Sequence, residues 1–174
     1  MKTLHSFPIV FSPLLACLLL AVTNVRALDS TELIGQPGPV LRESGLEGRL
    51  PELTGRVVLL DFWASWCPPC AESFPAMAAL QMRFAARGLV IVAVSVDTDP
   101  RACARFVERM RPPFSVVRDP QQRLAASLAA PAMPTSLLID RRGVVRFRHD
   151  GYRGRSTDQA YVGEIEQLLA EPPP

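Results

Sequence analysis

Lysine is almost missing from this sequence: Lys2 is the only one in 174 residues, and histidine and cysteine are scarce at two and four. Aromatic residues make up only 7% of the chain. These shortages close several routes. Setting aside Lys2 and Arg26, the 19 basic residues fall to 17 arginines, equal to the 17 Asp and Glu, so the chain from Ala27 onward is close to neutral. No basic stripe and no arginine cluster interleaved with aromatics stands out, which leaves a nucleic-acid role without support. A zinc site needs four ligands, and beyond one close cysteine pair only Cys103 and His149 remain, both far away in sequence. Internal repeats and long linkers are also absent. Without a leader of about 27 residues, the remaining ~147 suit one domain with a real core and leave no room for a second.

What is present begins with a leader. Residues 1–27 combine Lys2 as a short positive start, an apolar run from Ile9 to Val22, and small or short residues at Val25 and Ala27. This reads as a signal peptide cleaved before Leu28. The apolar run is broken by Ser12 and Pro13 and is short for a membrane span, so a retained anchor is the weaker reading. Leu14-Leu15-Ala16-Cys17 loosely matches a bacterial lipoprotein box, which would make Cys17 a lipidated N-terminus, but the run continues well beyond it. Each variant puts the domain outside the cytoplasm, periplasmic or otherwise extracytoplasmic, where disulfides form and persist. Three cysteines then remain, Cys67, Cys70 and Cys103, an odd number that cannot form a fully paired framework within one chain.

Residues 28–52 form an irregular lead-in rich in Gly, Pro and Glu, with one short strand or hairpin expected around Val40 to Leu50. The domain proper spans 53–170, and 171–174 is expected to be a free, disordered end. Val57 to Trp63 is a β-branched and aromatic run of buried-strand length. From Cys70 to Arg87, Phe74, Met77, Ala78, Leu80 and Phe84 recur at helical spacing; Gly88 supplies the stop, and Pro75 should kink the helix. Leu89 to Val96 is a second buried strand. Asp97-Thr98-Asp99-Pro100 then caps a helix that ends before Pro112. A strand over Phe114 to Val117, a helix over Gln121 to Ala129, strands over Ser136 to Asp140 and Val144 to Arg148 joined by a hairpin turn, and a helix over Thr157 to Ala170 complete the chain. The order β-α-β-α-β-α-β-β-α predicts an α/β fold, a mixed sheet with helices on both faces.

The chemistry concentrates at Cys67-Pro68-Pro69-Cys70, between a predicted strand and a predicted helix. A cysteine at a helix N-terminus meets unpaired N–H groups and the positive end of the macrodipole, which favour its thiolate. The thiolate attacks disulfides, and a second cysteine three positions on can resolve the mixed disulfide. Proline is tolerated in the first turn because those N–H groups have no helical partner. Three other uses of the pair stand beside this one. A structural disulfide closing so short a loop removes little denatured-state entropy. Zinc lacks ligands. A copper(I) site of both thiolates and a methionine such as Met133 is the serious rival, because soft sulfur ligands suit that ion.

Asp61-Phe62-Trp63-Ala64-Ser65-Trp66-Cys67-Pro68-Pro69-Cys70 closely resembles the active-site segment of thioredoxins, and Met133-Pro134-Thr135 resembles their cis-proline loop. Leu53-Thr54-Gly55-Arg56-Val57-Val58, the run from Pro134 to Gly143 and the exported leader resemble the TlpA/ResA branch of bacterial thiol–disulfide oxidoreductases. The resemblance implies a thioredoxin fold and a redox disulfide Cys67–Cys70, with Cys67 the exposed nucleophile and Cys70 the buried resolving thiol. It further implies a cis Pro134 beside the disulfide, with Met133 left free to pair with an extended substrate segment. Trp66, Pro68, Pro69 and Thr135 would border that groove. Asp61 matches the buried acid of thioredoxins, where desolvation raises the pKa and suits it to take the Cys70 proton. No cofactor or metal is implied. The implied partners are exported disulfide-containing proteins and a membrane thiol donor of the DsbD/CcdA type, with the chain itself a monomer. One departure bears on cytochrome c maturation: many branch members carry glutamate three residues after the second cysteine, where this chain has Ser73, with Glu72 one position earlier. On a helix that shift turns the carboxylate about 100° away.

Trp63, Phe74 and Met77 read as packing. Cys103, Phe106, Val107 and Met110 share one helix face, which makes Cys103 a small hydrophobe. His149 reads as a surface residue. Protein-disulfide reduction is the leading reading; a disulfide oxidase, a copper(I) chaperone and a redox-inert peptide adaptor stand as alternatives.

Overall fold

The computed structural model describes residues 33–173. The expected signal peptide, its cleavage before Leu28 and the lipidation reading of Cys17 lie outside the described residues.

Strand β1, Val57–Trp63, is buried at every position, as a β-branched and aromatic run covered on both faces requires. Helix α1, Pro68–Phe84, has Cys67 as its N-cap and prolines in its first turn. It continues through Pro75 as one element, then tightens into a 3-10 turn at Ala85–Arg87 and stops at Gly88, whose φ of 109° suits a residue without Cβ. Strand β2, Leu89–Ser95, follows; α2, Pro100–Met110, is capped by Asp99, whose carboxylate accepts from Arg101 N–H at 2.9 Å. The chain proceeds through β3, Ser115–Arg118, α3, Arg123–Ser127, β4, Thr135–Ile139, β5, Val145–Asp150, and α4, Arg155–Ala170.

The sheet order is β3-β2-β1-β4-β5, parallel across β1, β2 and β3 and antiparallel across β1–β4 and β4–β5. β1 to β2 and β2 to β3 step in the same direction, so right-handed crossovers place α1 and α2 on one face. The contacts agree: Trp63 packs against Phe74 of α1 at 4.9 Å and Phe106 of α2 at 4.5 Å between ring centroids. α4 shares that face, because its Tyr161 reaches Ser136 next to Asp61. The opposite face carries Val58, Leu60 and Phe62, all buried. Leu41 of the lead-in and Leu53 just after it border a depression there with Val58 and Ile139. With the first face occupied, the connection through α3 returns from the edge strand β3 across this second face to β4. The result is the expected α/β thioredoxin fold, with helices on both faces.

Three expectations are corrected. No strand or hairpin forms around Val40 to Leu50; the segment makes a 3-10 turn at Leu41–Glu43 and isolated bridges, Pro37 to Val144 and Glu47 to Arg118. Its backbone bonds run within the turn, from Glu43 and Ser44 to Val40 and Leu41, and from Glu47 to Arg118 of β3, and positive φ at Gly45 and Gly48 interrupts local strand pairing. α3 is shorter than Gln121 to Ala129 because Gln122 and Ala129 take left-handed φ of 54° and 46°. Glu171, assigned to the free end, is held: Arg141 donates to its carbonyl at 2.6 Å and Arg146 to its carboxylate at 2.9 Å.

Candidate active site

β1 ends at Trp63, and a turn over Ala64 to Trp66 delivers Cys67 to the start of α1. Cys67 and Cys70 are joined, with S–S 2.06 Å and Cα atoms 5.3 Å apart. As N-cap, Cys67 Sγ accepts the otherwise unpaired Cys70 N–H at 3.2 Å. The same N–H and the helix dipole would stabilise a thiolate at Cys67 once the bond is reduced. Cys70 is 0% exposed and Cys67 only 4%, so the expectation of an openly exposed nucleophile is corrected: Cys67 is the accessible member of the pair by a narrow margin. The rim around it is open, with Trp66 69% exposed, Pro68 exposed and Pro69 half-buried.

The other wall is the loop before β4. The Met133–Pro134 peptide bond is cis, and the Met133 carbonyl oxygen lies 3.4 Å from Cys67 Sγ. A disulfide sulfur carries no proton, so this is a contact between backbone and sulfur. Arg148, its side chain buried, holds the approach to this loop, donating to the carbonyls of Leu128 and Ala129 at 2.8 and 2.7 Å and pairing with Asp150. Gly151 N–H donates to the Pro134 carbonyl at 2.7 Å. Thr135 belongs to this scaffold and not to the groove. It is buried, with Oγ1 2.7 Å from the Ala132 carbonyl and 3.1 Å from Asp150, so its expected side-chain contact with substrate is withdrawn.

Asp61 lies on the face of β1 that α1 covers and is 1% exposed. Its Oδ1 accepts from Ser136 Oγ at 2.7 Å, and Ser136 Oγ lies 2.6 Å from the Tyr161 hydroxyl. Its Oδ2 is buried without a partner, as is Trp63 Nε1 two residues on. Burial pushes the Asp61 pKa up to about 7 against the pull of the Ser136 bond. Burial and the nearby Asp61 also push the Tyr161 phenol well above its usual range. His149 is corrected from surface residue to packed residue: its ring stands edge-on to Tyr161 at 4.9 Å, and Nε2 pairs with Glu164 at 2.7 Å. Neither Ser136 nor Tyr161 was singled out from sequence. Register sets Ser136 beside Asp61 and His149 beside Ser136 across three strands, and the packing of α4 brings Tyr161 to Ser136.

Residues 36–148 match the AhpC/TSA family. The thiol–disulfide oxidoreductase ResA of Bacillus thuringiensis is 31% identical over 135 residues, 76% of this chain and 78% of that protein. ResA of Geobacillus thermodenitrificans is 34% identical, covering 65% of this chain and 67% of that one. The chain belongs to the ResA-type thiol–disulfide oxidoreductases of the AhpC/TSA family. A Chlorobium tepidum structure assigned to the DsbE thiol:disulfide interchange proteins superposes with TM-score 0.69 and 38% identity, over 72% of this chain and 92% of that one.

Within this ResA-type frame, Ser73 is buried in α1 and donates to the Cys70 carbonyl at 2.9 Å, while Glu72 is exposed. The carboxylate at 72 therefore does not enter the buried interior, whereas Asp61 is a buried carboxyl on the face of β1 that α1 covers. Cys103 is a free, buried thiol on α2, its pKa raised chiefly by burial. Trp63, Phe74 and Met77 are core residues. Among the described residues, no group of three or more His, Cys, Asp or Glu is gathered as a metal site.

Proposed function

We propose that this ResA-type chain reduces disulfides of exported proteins outside the cytoplasm, with Cys67 as nucleophile, Cys70 as resolving thiol and Asp61 as the proton acceptor. The observation that carries the reading is the asymmetry of the pair: Cys67 Sγ caps α1 beside Trp66 and Met133, while Cys70 is sealed beneath it. The Cys67 thiolate attacks a substrate disulfide, forming a mixed disulfide and expelling one substrate thiolate. Asp61 carboxylate takes the Cys70 proton. The Cys70 thiolate then attacks Cys67; the Cys67–Cys70 bond forms, the bond to substrate breaks, and the electron pair leaves on the second substrate sulfur, which is protonated. Two electrons have passed to substrate, and a membrane dithiol donor of the DsbD/CcdA type restores the pair. The Met133 backbone at the Pro134 turn offers an extended substrate segment a strand to pair with, and Trp66, Pro68 and Pro69 line its path. The chain works as a monomer. With Ser73 in place of glutamate, the client range is broader than cytochrome c maturation.

Insulin reduction with dithiothreitol as donor tests this. Cys67→Ser should abolish turnover, and Cys70→Ser should accumulate a mixed disulfide with substrate; residual turnover in Cys67→Ser would remove the assigned nucleophile. The equilibrium potential, read by Trp66 fluorescence in redox buffers, decides direction: at or below about −230 mV marks a reductase, and near about −120 mV an oxidase.

A further inference from the structure

The two oxygens of the Asp61 carboxyl are held differently, and a hydroxyl has only one proton to give. When Asp61 is ionised, Ser136 must spend its proton on Oδ1, 2.7 Å away. The Tyr161 hydroxyl, 2.6 Å from Ser136 Oγ, must then be the donor to Ser136. The order Tyr161 to Ser136 to Asp61 is thereby forced. Both hydroxyls are buried, and Oδ2 is left as the carboxyl oxygen without a partner. Neither hydroxyl touches the sulfurs, and a link between α4 and the sheet would not need to end on a carboxylate.

We infer that Ser136 and Tyr161 are positioning residues that commit Oδ1 as a hydrogen-bond acceptor, so that the proton from Cys70 lands on Oδ2, and that they set the pH at which Asp61 accepts it. The inference rests on the acid–base role proposed for Asp61. The titratable groups on the Asp61 side of the elements packed against it are Cys70 on α1, Tyr161 and Glu164 on α4 and His149 on β5; the last two engage each other at 2.7 Å. In the transfer, the Cys70 S–H bond breaks and an Oδ2–H bond forms with no change in electron count. Removing the Ser136 donor disfavours the carboxylate and raises the Asp61 pKa; removing the Tyr161 donor weakens the Ser136 bond and acts in the same direction.

The test is the carbon-13 carboxyl titration of Asp61 in the reduced full chain, together with the pH profile of mixed-disulfide resolution. In Ser136→Ala both midpoints should rise by about one pH unit or more, in Tyr161→Phe by less, and Ser136→Thr should restore the wild-type values. Should Ser136→Ala fail to fold, Tyr161→Phe keeps the ring and decides. Wild-type midpoints in the alanine and phenylalanine variants, with Asp61→Asn losing the alkaline rise in rate, would overturn the positioning role and leave the acid–base reading standing. An Asp61→Asn variant that keeps the wild-type profile would overturn both.

Discussion

Replacing Asp61 by asparagine should make the oxidised protein more stable, and only above acidic pH. The carboxyl has one hydrogen bond, from Ser136, and an unpartnered second oxygen. Burial raises its pKa from 3.8 to about 7. A group whose folded pKa exceeds its unfolded value holds its proton longer in the native state, so native stability falls as pH rises from the unfolded pKa to the folded one. Here the loss accumulates between about pH 4 and 7 and is complete above that window. The gap of about three pH units corresponds to roughly 4 kcal/mol, a large share of the 5–15 kcal/mol typical of a domain. Asparagine keeps the Oδ1 acceptor and never ionises. At pH 4.5 the two proteins should therefore lie within about 1 kcal/mol, each with one buried polar atom unpaired. At pH 8.5 the variant should be ahead by about 3–4 kcal/mol, or roughly 2 M urea in midpoint at an m-value near 2 kcal/mol/M. Urea titrations of both oxidised proteins at the two pH values measure this difference, from which every other ionisable group cancels. A gap that stays the same at both pH values would refute the reasoning, because it would show that Asp61 titrates alike folded and unfolded.

Arg148→Met should cost about 3 kcal/mol in urea unfolding, because it strips the donors from the Leu128 and Ala129 carbonyls and the partner from Asp150. It should also raise KM for protein substrates by loosening the approach to Met133, and a stability loss under about 1 kcal/mol would show that Arg148 does not hold this loop. Cys103→Ala should lower stability by about 1 kcal/mol and leave insulin reduction within a few-fold of wild type. A collapse of turnover would bring the third cysteine into the redox cycle.

Much of the fold was legible because it rests on local rules. The apolar run Val57 to Trp63, the Pro-Pro start of α1, the stop at Gly88 and the Asp99-Pro100 cap each act over a few residues, and each appears within a residue or two of its expected place. The lead-in was not legible, since Pro37 and Glu47 bond to Val144 and Arg118 far along the chain. The same division runs through the site. The sequence by itself determined the cysteine pair and its place at a helix start, because spacing and periodicity encode them directly; the acid on the preceding strand was legible only through the resemblance of the run Asp61–Cys70 to the thioredoxin active-site segment. Only the tertiary structure decided what surrounds that acid. Strand alternation shows which way Asp61 and Ser136 face within their own strands, but it does not say which strands pair or in what register. Partners separated by 75 and 25 residues meet only once β4 lies antiparallel to β1 and α4 folds down on that face. That docking, driven by apolar residues such as Ile165 and Leu168, brings in Tyr161, packs His149 against it and leaves one oxygen of Asp61 buried and unpaired.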